Sequence, residues 1–195
     1  MAQLTDSQRD LLIRFKDDLR KGKLNKLAKT LSSEYRYDRG PIIAYMIEKG
    51  VPILEAMSFI PYVGITDCNM PVLSIPGNIQ YISTGGIGRN NCREIILEEG
   101  IERLESRAII ENNNLEKIIL PNSLASLGQE CFADNKNLKE VFIPDSITVL
   151  PKGVFDGCDN VTVLANYRAD KKDRLKCVES EIEFYKNHLK WIRGE

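Results

Sequence analysis

Residues 115–155 carry the same pattern twice. Laid over itself in steps of 23, this stretch places Leu115 on Leu138, Ile118 on Val141, Leu120 on Ile143, Pro121 on Pro144 and Phe132 on Phe155. Extended toward the amino terminus by a step of 23 and then one of 22, one column reads Ile75, Leu97, Leu120, Ile143. A second reads Ile79, Ile101, Leu124, Ile147, and a third Ile82, Leu104, Leu127, Leu150. A fixed period of this size predicts a solenoid, because one such unit cannot bury its own apolar face and must stack on its neighbours.

Each unit opens on a short strand, expected at 73–75, 95–97, 118–120, 141–143 and near 161–165. Side chains alternate across a strand, so the first and third residues of each point into the core and the middle one points out. Proline follows directly at Pro76, Pro121 and Pro144, with Glu98 departing, and ends the ladder because it has no N–H to donate. Ala108-Ile109, Cys131-Phe132 and Val154-Phe155 are expected to turn inward and fill the solenoid. Asn90, Asn112, Asn135 and Cys158 form one more column. A buried turn leaves backbone groups without partners, which a stacked Asn amide can supply.

The segment "IPDSITVLPKGVFDGCDNV" has the form IPxSIxxLxxxxFxxCxxL and resembles the BspA-type (Treponema pallidum-like) leucine-rich repeat. The first unit, "VLSIPGNIQYISTGGIGRNNC", is shorter and has Ile87 where that family prefers Phe. The resemblance covers about residues 67–166 and implies binding modules, often on bacterial or parasite surfaces. The chain departs from the surface proteins in opening on MAQLTDSQRDLLIRF, which has no basic segment followed by an apolar run.

These features divide the chain into a helical domain at 1–66, a solenoid of about four repeats at 67–166 and a helix at 167–195, an α+β architecture. Thr5 and Gln8 form a capping box ahead of Leu11, Leu12, Phe15 and Leu19 at helical spacing. Lys21-Gly22-Lys23 interrupts this helix, and Leu24, Leu27, Ala28 and Leu31 mark a second. A third runs from Pro41 to Gly50, and a further turn lies around Leu54 to Met57. At the other end Leu175, Val178, Ile182, Tyr185, Leu189 and Ile192 follow steps of three and four, which suits either a helix capping the last repeat or a homodimer seam over 175–192.

The residues exclude several chemistries. His188, the only histidine, lies on a polar step of the carboxy-terminal helix, so a Ser-His-Asp or Cys-His arrangement has little to build on. No phosphate loop is present, and Gly85, Gly86 and Gly88 fall inside the repeat frame, where a tight turn explains them. The five cysteines are scattered without C-x-x-C spacing, so neither a disulfide framework nor a zinc site is indicated and a reducing compartment fits. No stretch is long and apolar enough to cross a membrane. The chain is expected to be a cytoplasmic, non-enzymatic protein with no cofactor and no metal.

Two surfaces remain as candidate binding sites. The middle strand residues Ser74, Ile96, Ile119 and Phe142 should line up on the outer sheet face, flanked by Glu94, Lys117 and Glu140, unless a terminal helix covers them. That apolar stripe with a charged margin points to a protein partner of unknown identity, and to an adaptor or inhibitor, a design that suits a phage or mobile-element product acting on a host protein. From 94 to 161 thirteen acids face six bases, whereas residues 1–36 hold nine bases against five acids. The alternative is therefore a nucleic-acid-binding regulator using the basic amino-terminal helices in a helix-turn-helix manner.

Overall fold

The computed structural model describes residues 4–33 and 39–165. Its amino-terminal part is helical: α1 (Asp6–Arg14), α2 (Lys16–Arg20), α3 (Asn25–Ser33) and α4 (Arg39–Glu48), followed by a 3-10 helix at Ile53–Ala56. The Thr5 hydroxyl accepts the Gln8 N–H at 3.3 Å and Gln8 Oε1 accepts the Thr5 N–H at 2.8 Å, the reciprocal capping box expected there. The single helix expected through Leu19 instead breaks at Phe15, whose backbone (φ −99°, ψ 9°) ends α1 while its ring turns into the core. Gly22 follows α2 in the left-handed region, at φ +65°, and lets the chain reverse into α3.

The remainder winds through three parallel sheets, one on each side of the solenoid. The widest has the order β12-β11-β9-β6-β3 and is built from β3 (Val72–Ile75), β6 (Glu94–Leu97), β9 (Lys117–Ile119), β11 (Glu140–Ile143) and β12 (Thr162–Ala165). A second has the order β1-β4-β7-β10, from β1 (Phe59–Ile60), β4 (Tyr81–Ile82), β7 (Arg103–Leu104) and β10 (Ser126–Leu127). The third, β2-β5-β8, comprises β2 (Ile65–Thr66), β5 (Ile87–Gly88) and β8 (Ile109–Ile110). The expected inward pairs are buried throughout: Leu73 and Ile75, Ile95 and Leu97, Ile118 and Leu120, Val141 and Ile143. Ala108-Ile109, Cys131-Phe132 and Val154-Phe155 are buried too, with Phe132 stacked on Phe155 at 5.7 Å between centroids.

The solenoid starts earlier than residue 67, because β1 and β2 lie inside the stretch assigned above to the helical domain. The wide-sheet position one turn before β3 falls to Gly50-Val51-Pro52. Gly50 is left-handed (φ +70°) and Pro52 has no N–H, so no strand forms there and the wide sheet begins one turn later than the narrow ones. The 3-10 helix occupies the corner instead, and Asn78 Nδ2 ties it to the next turn by donating to Leu54 O and Met57 O at 2.9 and 2.7 Å. About five turns are present in place of the four expected. Helices α3 and α4 pack against this first turn, α3 on the 3-10 helix and α4 on that helix and β2. A Cβ on Gly40 would lie 2.4 Å from Thr66 Oγ1, so glycine permits the close approach of α4. The helix expected at 167–195, with its capping or dimerising seam at 175–192, lies outside the described residues, as do His188 and Cys177.

The asparagine column performs the expected task. Asn90 Oδ1 accepts the Cys68 N–H at 2.9 Å, Asn112 Oδ1 the Asn90 N–H at 3.0 Å, and Asn135 Oδ1 the Asn112 N–H at 2.9 Å. Each amide thus reaches back one turn to a backbone donor that has left its sheet. Their NH₂ groups donate to Ile65 O, Ile110 O and Ile109 O, so both ends of each amide are used. Cys158, last in the column, donates its thiol to Phe132 O at 3.1 Å.

A second periodic feature is left-handed backbone. Val63, Gly85, Arg107, Glu130 and Gly153 form one such column and Asp67, Arg89, Glu111, Asp134 and Gly157 another, all with φ between 51° and 71°. Arg107 fastens neighbouring turns here, at 2.6 Å from Glu130, 3.4 Å from Asp134 and 4.0 Å from Glu111. These side chains are partly exposed, so each pair contributes at most about 1 kcal/mol.

Candidate functional site

The wide sheet turns one face to the core and the other outward. Strand register fixes what stands on the outer face. Val72 opposes Glu94, Glu94 opposes Lys117 and Lys117 opposes Glu140, which opposes Thr162. Two residues further along each strand, Ser74 opposes Ile96, Ile96 opposes Ile119, and Phe142 opposes Leu164. All six residues singled out from the sequence, Ile96, Ile119, Phe142, Glu94, Lys117 and Glu140, therefore fall on this face in two adjacent rows. Ile119, Phe142 and Leu164 are 37%, 38% and 40% exposed, and Ile96 is half-buried between its neighbours. Three large apolar side chains at that exposure, in one line, make a continuous patch.

The charged row borders it. Lys117 Nζ lies 3.9 Å from Glu94 Oε1, while Glu140 forms no ion pair among the described residues. One row further out, Lys139 Nζ reaches Glu116 Oε2 at 2.7 Å, and this bond with the ammonium charge holds the Glu116 carboxyl below the usual glutamate range. On the opposite margin Ser74 donates its hydroxyl to Glu98 Oε1 at 2.8 Å. Glu98 is the departure from the post-strand proline column, and it puts a carboxylate where the other turns have a ring.

Sequence reasoning placed Ser74 on the β3 end of the outer face but missed Val72 beside it and Leu164 at the other end. Val72, 39% exposed, sits at one edge and Leu164 at the other. Leu164 was legible in principle, since pairing Val163 with Val141 brings Leu164 beside Phe142. Of the amino-terminal helices, α3 packs on the 3-10 helix, α4 on that helix and β2, and α1 on α2.

The other faces differ in character. On the second sheet Phe59 stacks on Tyr81 at 4.9 Å and the Arg103 guanidinium lies 4.7 Å above the Tyr81 ring, a ladder that spends its aromatic faces on itself. The corner between α2 and α3 is basic. Lys16, Arg20, Lys21, Lys23 and Lys29 are exposed there and hold no ion pair among the described residues, and Lys26 lies over the Phe15 ring at 5.9 Å. Burial pushes the Cys92, Cys131 and Cys158 thiols up to about 12, so they stay protonated, the opposite of a nucleophile's requirement. Among the described residues no three His, Cys, Asp or Glu side chains gather as metal ligands, and no helix is long and apolar enough to cross a membrane.

Comparison with known proteins places this architecture. No curated protein matches the chain. Among solved structures, a leucine rich cell surface protein from Faecalibacterium prausnitzii A2-165 is similar at 14% identity with a TM-score of 0.49, over 57% of this chain and 35% of that one. The chain thus corresponds to about a third of that protein's length. The model of the BspA type leucine rich repeat region matches residues 58–167 in six copies, beginning one residue before β1. With more than half of its length covered by that match, the chain belongs to the BspA-type leucine-rich-repeat family.

Proposed function

We propose that this chain is a protein-binding module whose contact surface is the outer face of the wide sheet. The observation that carries the reading is the single line of half-buried Ile96 and exposed Ile119, Phe142 and Leu164, held in register by β6, β9, β11 and β12. A half-exposed Phe between an Ile and a Leu exposes more apolar surface than folding requires, and a partner that covers it recovers about 25 cal/mol for each Å² removed from water. Five strands about 4.8 Å apart give a face about 19 Å wide. A standard interface takes about 800 Å² per partner, so adjoining loops belong to the contact as well. The function is binding rather than catalysis, in the form of an adaptor or inhibitor. The buried thiols Cys68, Cys92, Cys131 and Cys158 suit a reducing compartment such as the cytoplasm.

The test is capture of a partner from lysate by the wild type and by Ile96→Ser/Ile119→Ser/Phe142→Ser at matched melting temperature. A partner held by the wild type and lost by the variant is the expected result, and equal capture by both refutes the reading. A second reading is favoured by the exposed Lys16, Arg20, Lys21, Lys23 and Lys29, which hold no ion pair among the described residues and would lie along a phosphate backbone. It requires retention on nucleic acid whose logarithm falls linearly with the logarithm of salt concentration, whereas an apolar protein contact is nearly salt-independent.

A further inference from the structure

The outward row has a spacing, and that spacing selects the shape of what fits it. Ser74, Ile96, Ile119, Phe142 and Leu164 stand on five neighbouring strands. At about 4.8 Å per strand they form a line about 19 Å long. An α-helix returns a side chain to one face every three or four residues, about 5.2 Å along its axis. Over four gaps the two spacings diverge by only about 2 Å. An extended segment returns a side chain to one face every second residue, about 6.7 Å, and over the same four gaps it drifts by about 8 Å. A segment laid along a strand leaves the apolar line after one position, because the next outward residue is Val72, Glu94, Lys117, Glu140 or Thr162.

We propose that this face receives an amphipathic α-helix of a partner protein, lying across the strands with its apolar side on Ile96, Ile119, Phe142 and Leu164. The proposal rests on the reading of the sheet face as a protein-binding surface. A line of 19 Å corresponds to about 13 helical residues, a common helix length. The large residues gather at the β11–β12 end and the line closes at Ser74, whose hydroxyl is held by Glu98. The helix therefore sets its bulkiest contacts toward Phe142 and Leu164. In the bordering row Lys117 offsets Glu94, while Glu140 has no ion pair among the described residues. A Lys or Arg on the flank of the bound helix belongs over Glu140, beside Phe142.

The experiment is selection of phage-displayed random 18-residue peptides on the full chain, with depletion on Ile96→Ser/Ile119→Ser/Phe142→Ser. Enriched peptides should carry apolar residues three and four apart with a basic flank and gain helical circular dichroism on binding. They should bind Phe142→Ser at least tenfold more weakly, and Glu140→Lys, a surface change that leaves the core intact, several-fold more weakly. Peptides whose apolar residues alternate every second position, peptides that bind the triple variant equally, or no enrichment at all would overturn the proposal. Concentration-dependent dimers in sedimentation velocity that vanish in the variants would also overturn it, since the occupant would then be a second copy of this chain. Failure here is distinguishable from failure of the functional reading: if lysate capture still yields a partner lost in the triple variant, the face is a protein site and only the helix assignment falls.

Discussion

Asn112→Ala should remove about 2–5 kcal/mol of stability. The amide is fully buried and works in two directions. Its oxygen accepts the Asn90 N–H at 3.0 Å and the Asn90 NH₂ at 3.1 Å, and its nitrogen donates to Ile110 O at 3.0 Å and to Asn135 Oδ1 at 3.2 Å. Truncation strands the Asn90 N–H in an environment without water, at about 1–3 kcal/mol. The Asn90 NH₂ keeps Ile65 O, and Ile110 O keeps a long bond from the Arg89 N–H, so the remaining losses are partial, about 1–2 kcal/mol together. Urea unfolding of the wild type, Asn112→Ala and the exposed control Asn137→Ala measures the difference, with the control expected within about 0.5 kcal/mol. Hydrogen exchange adds a local readout: the Asn90 amide should exchange slowly in the wild type and lose protection selectively in Asn112→Ala. A loss no larger than the control's, or an Asn90 amide equally protected in both, would refute the claim that the ladder satisfies the turns.

Further outcomes follow from the same geometry. Gly100→Ala should cost more than about 2 kcal/mol by urea unfolding, because the residue sits at φ +115° and a Cβ would come within 2.2 Å of Gly77 O. Glu111→Gly should be neutral or stabilising by up to about 1 kcal/mol, since Glu111 occupies a left-handed position (φ +58°) that Gly157 fills in the same column. Iodoacetamide at pH 8 should leave Cys68, Cys92, Cys131 and Cys158 unlabelled until denaturant is added, as read by peptide mass spectrometry; rapid native labelling would contradict their burial. The Asn122 N–H, with help from the Ser123 N–H, holds the Glu99 carboxyl below its ordinary range. That contribution is present above the unfolded glutamate pKa and is lost as pH falls through the lowered folded value. Glu99→Gln should therefore lose less stability than the wild type as pH falls below the ordinary glutamate range, and an unchanged acid limb would exclude the role.

The repeat was legible because burial imposes the same residue type at the same position in every turn, and six of the outward residues followed from strand alternation alone. The first turn was hidden because Gly50-Val51-Pro52 replaces the strand that makes a turn recognisable. The break at Phe15 was hidden because its apolar side chain fits the helical periodicity on both sides. The left-handed columns left little trace, since Arg89, Arg107, Glu111, Glu130 and Asp134 occupy positions that favour glycine. The change of spacing was legible as well, as a step of 22 between Ile75 and Leu97 and of 23 between Leu97 and Leu120. The ladder steps by 22 from Asn90 to Asn112, yet β6 registers with β9 at Ile95 and Ile118, 23 apart, so the extra residue lies in the loop between Asn112 and β9. Within that loop Asn113 and Asn114 are exposed while Leu115 is buried, so the extra residue fits at the exposed pair without disturbing a buried column.

The central claim is that the outer row of the wide sheet is the contact surface, and photo-crosslinking tests it most directly. A benzophenone amino acid would replace Phe142 in one variant and Val149, 75% exposed away from that row, in another. Each would be irradiated in lysate and its adducts identified by mass spectrometry. The account predicts one abundant protein adduct from position 142 that is absent from position 149; an adduct from position 149 with none from position 142 would contradict it.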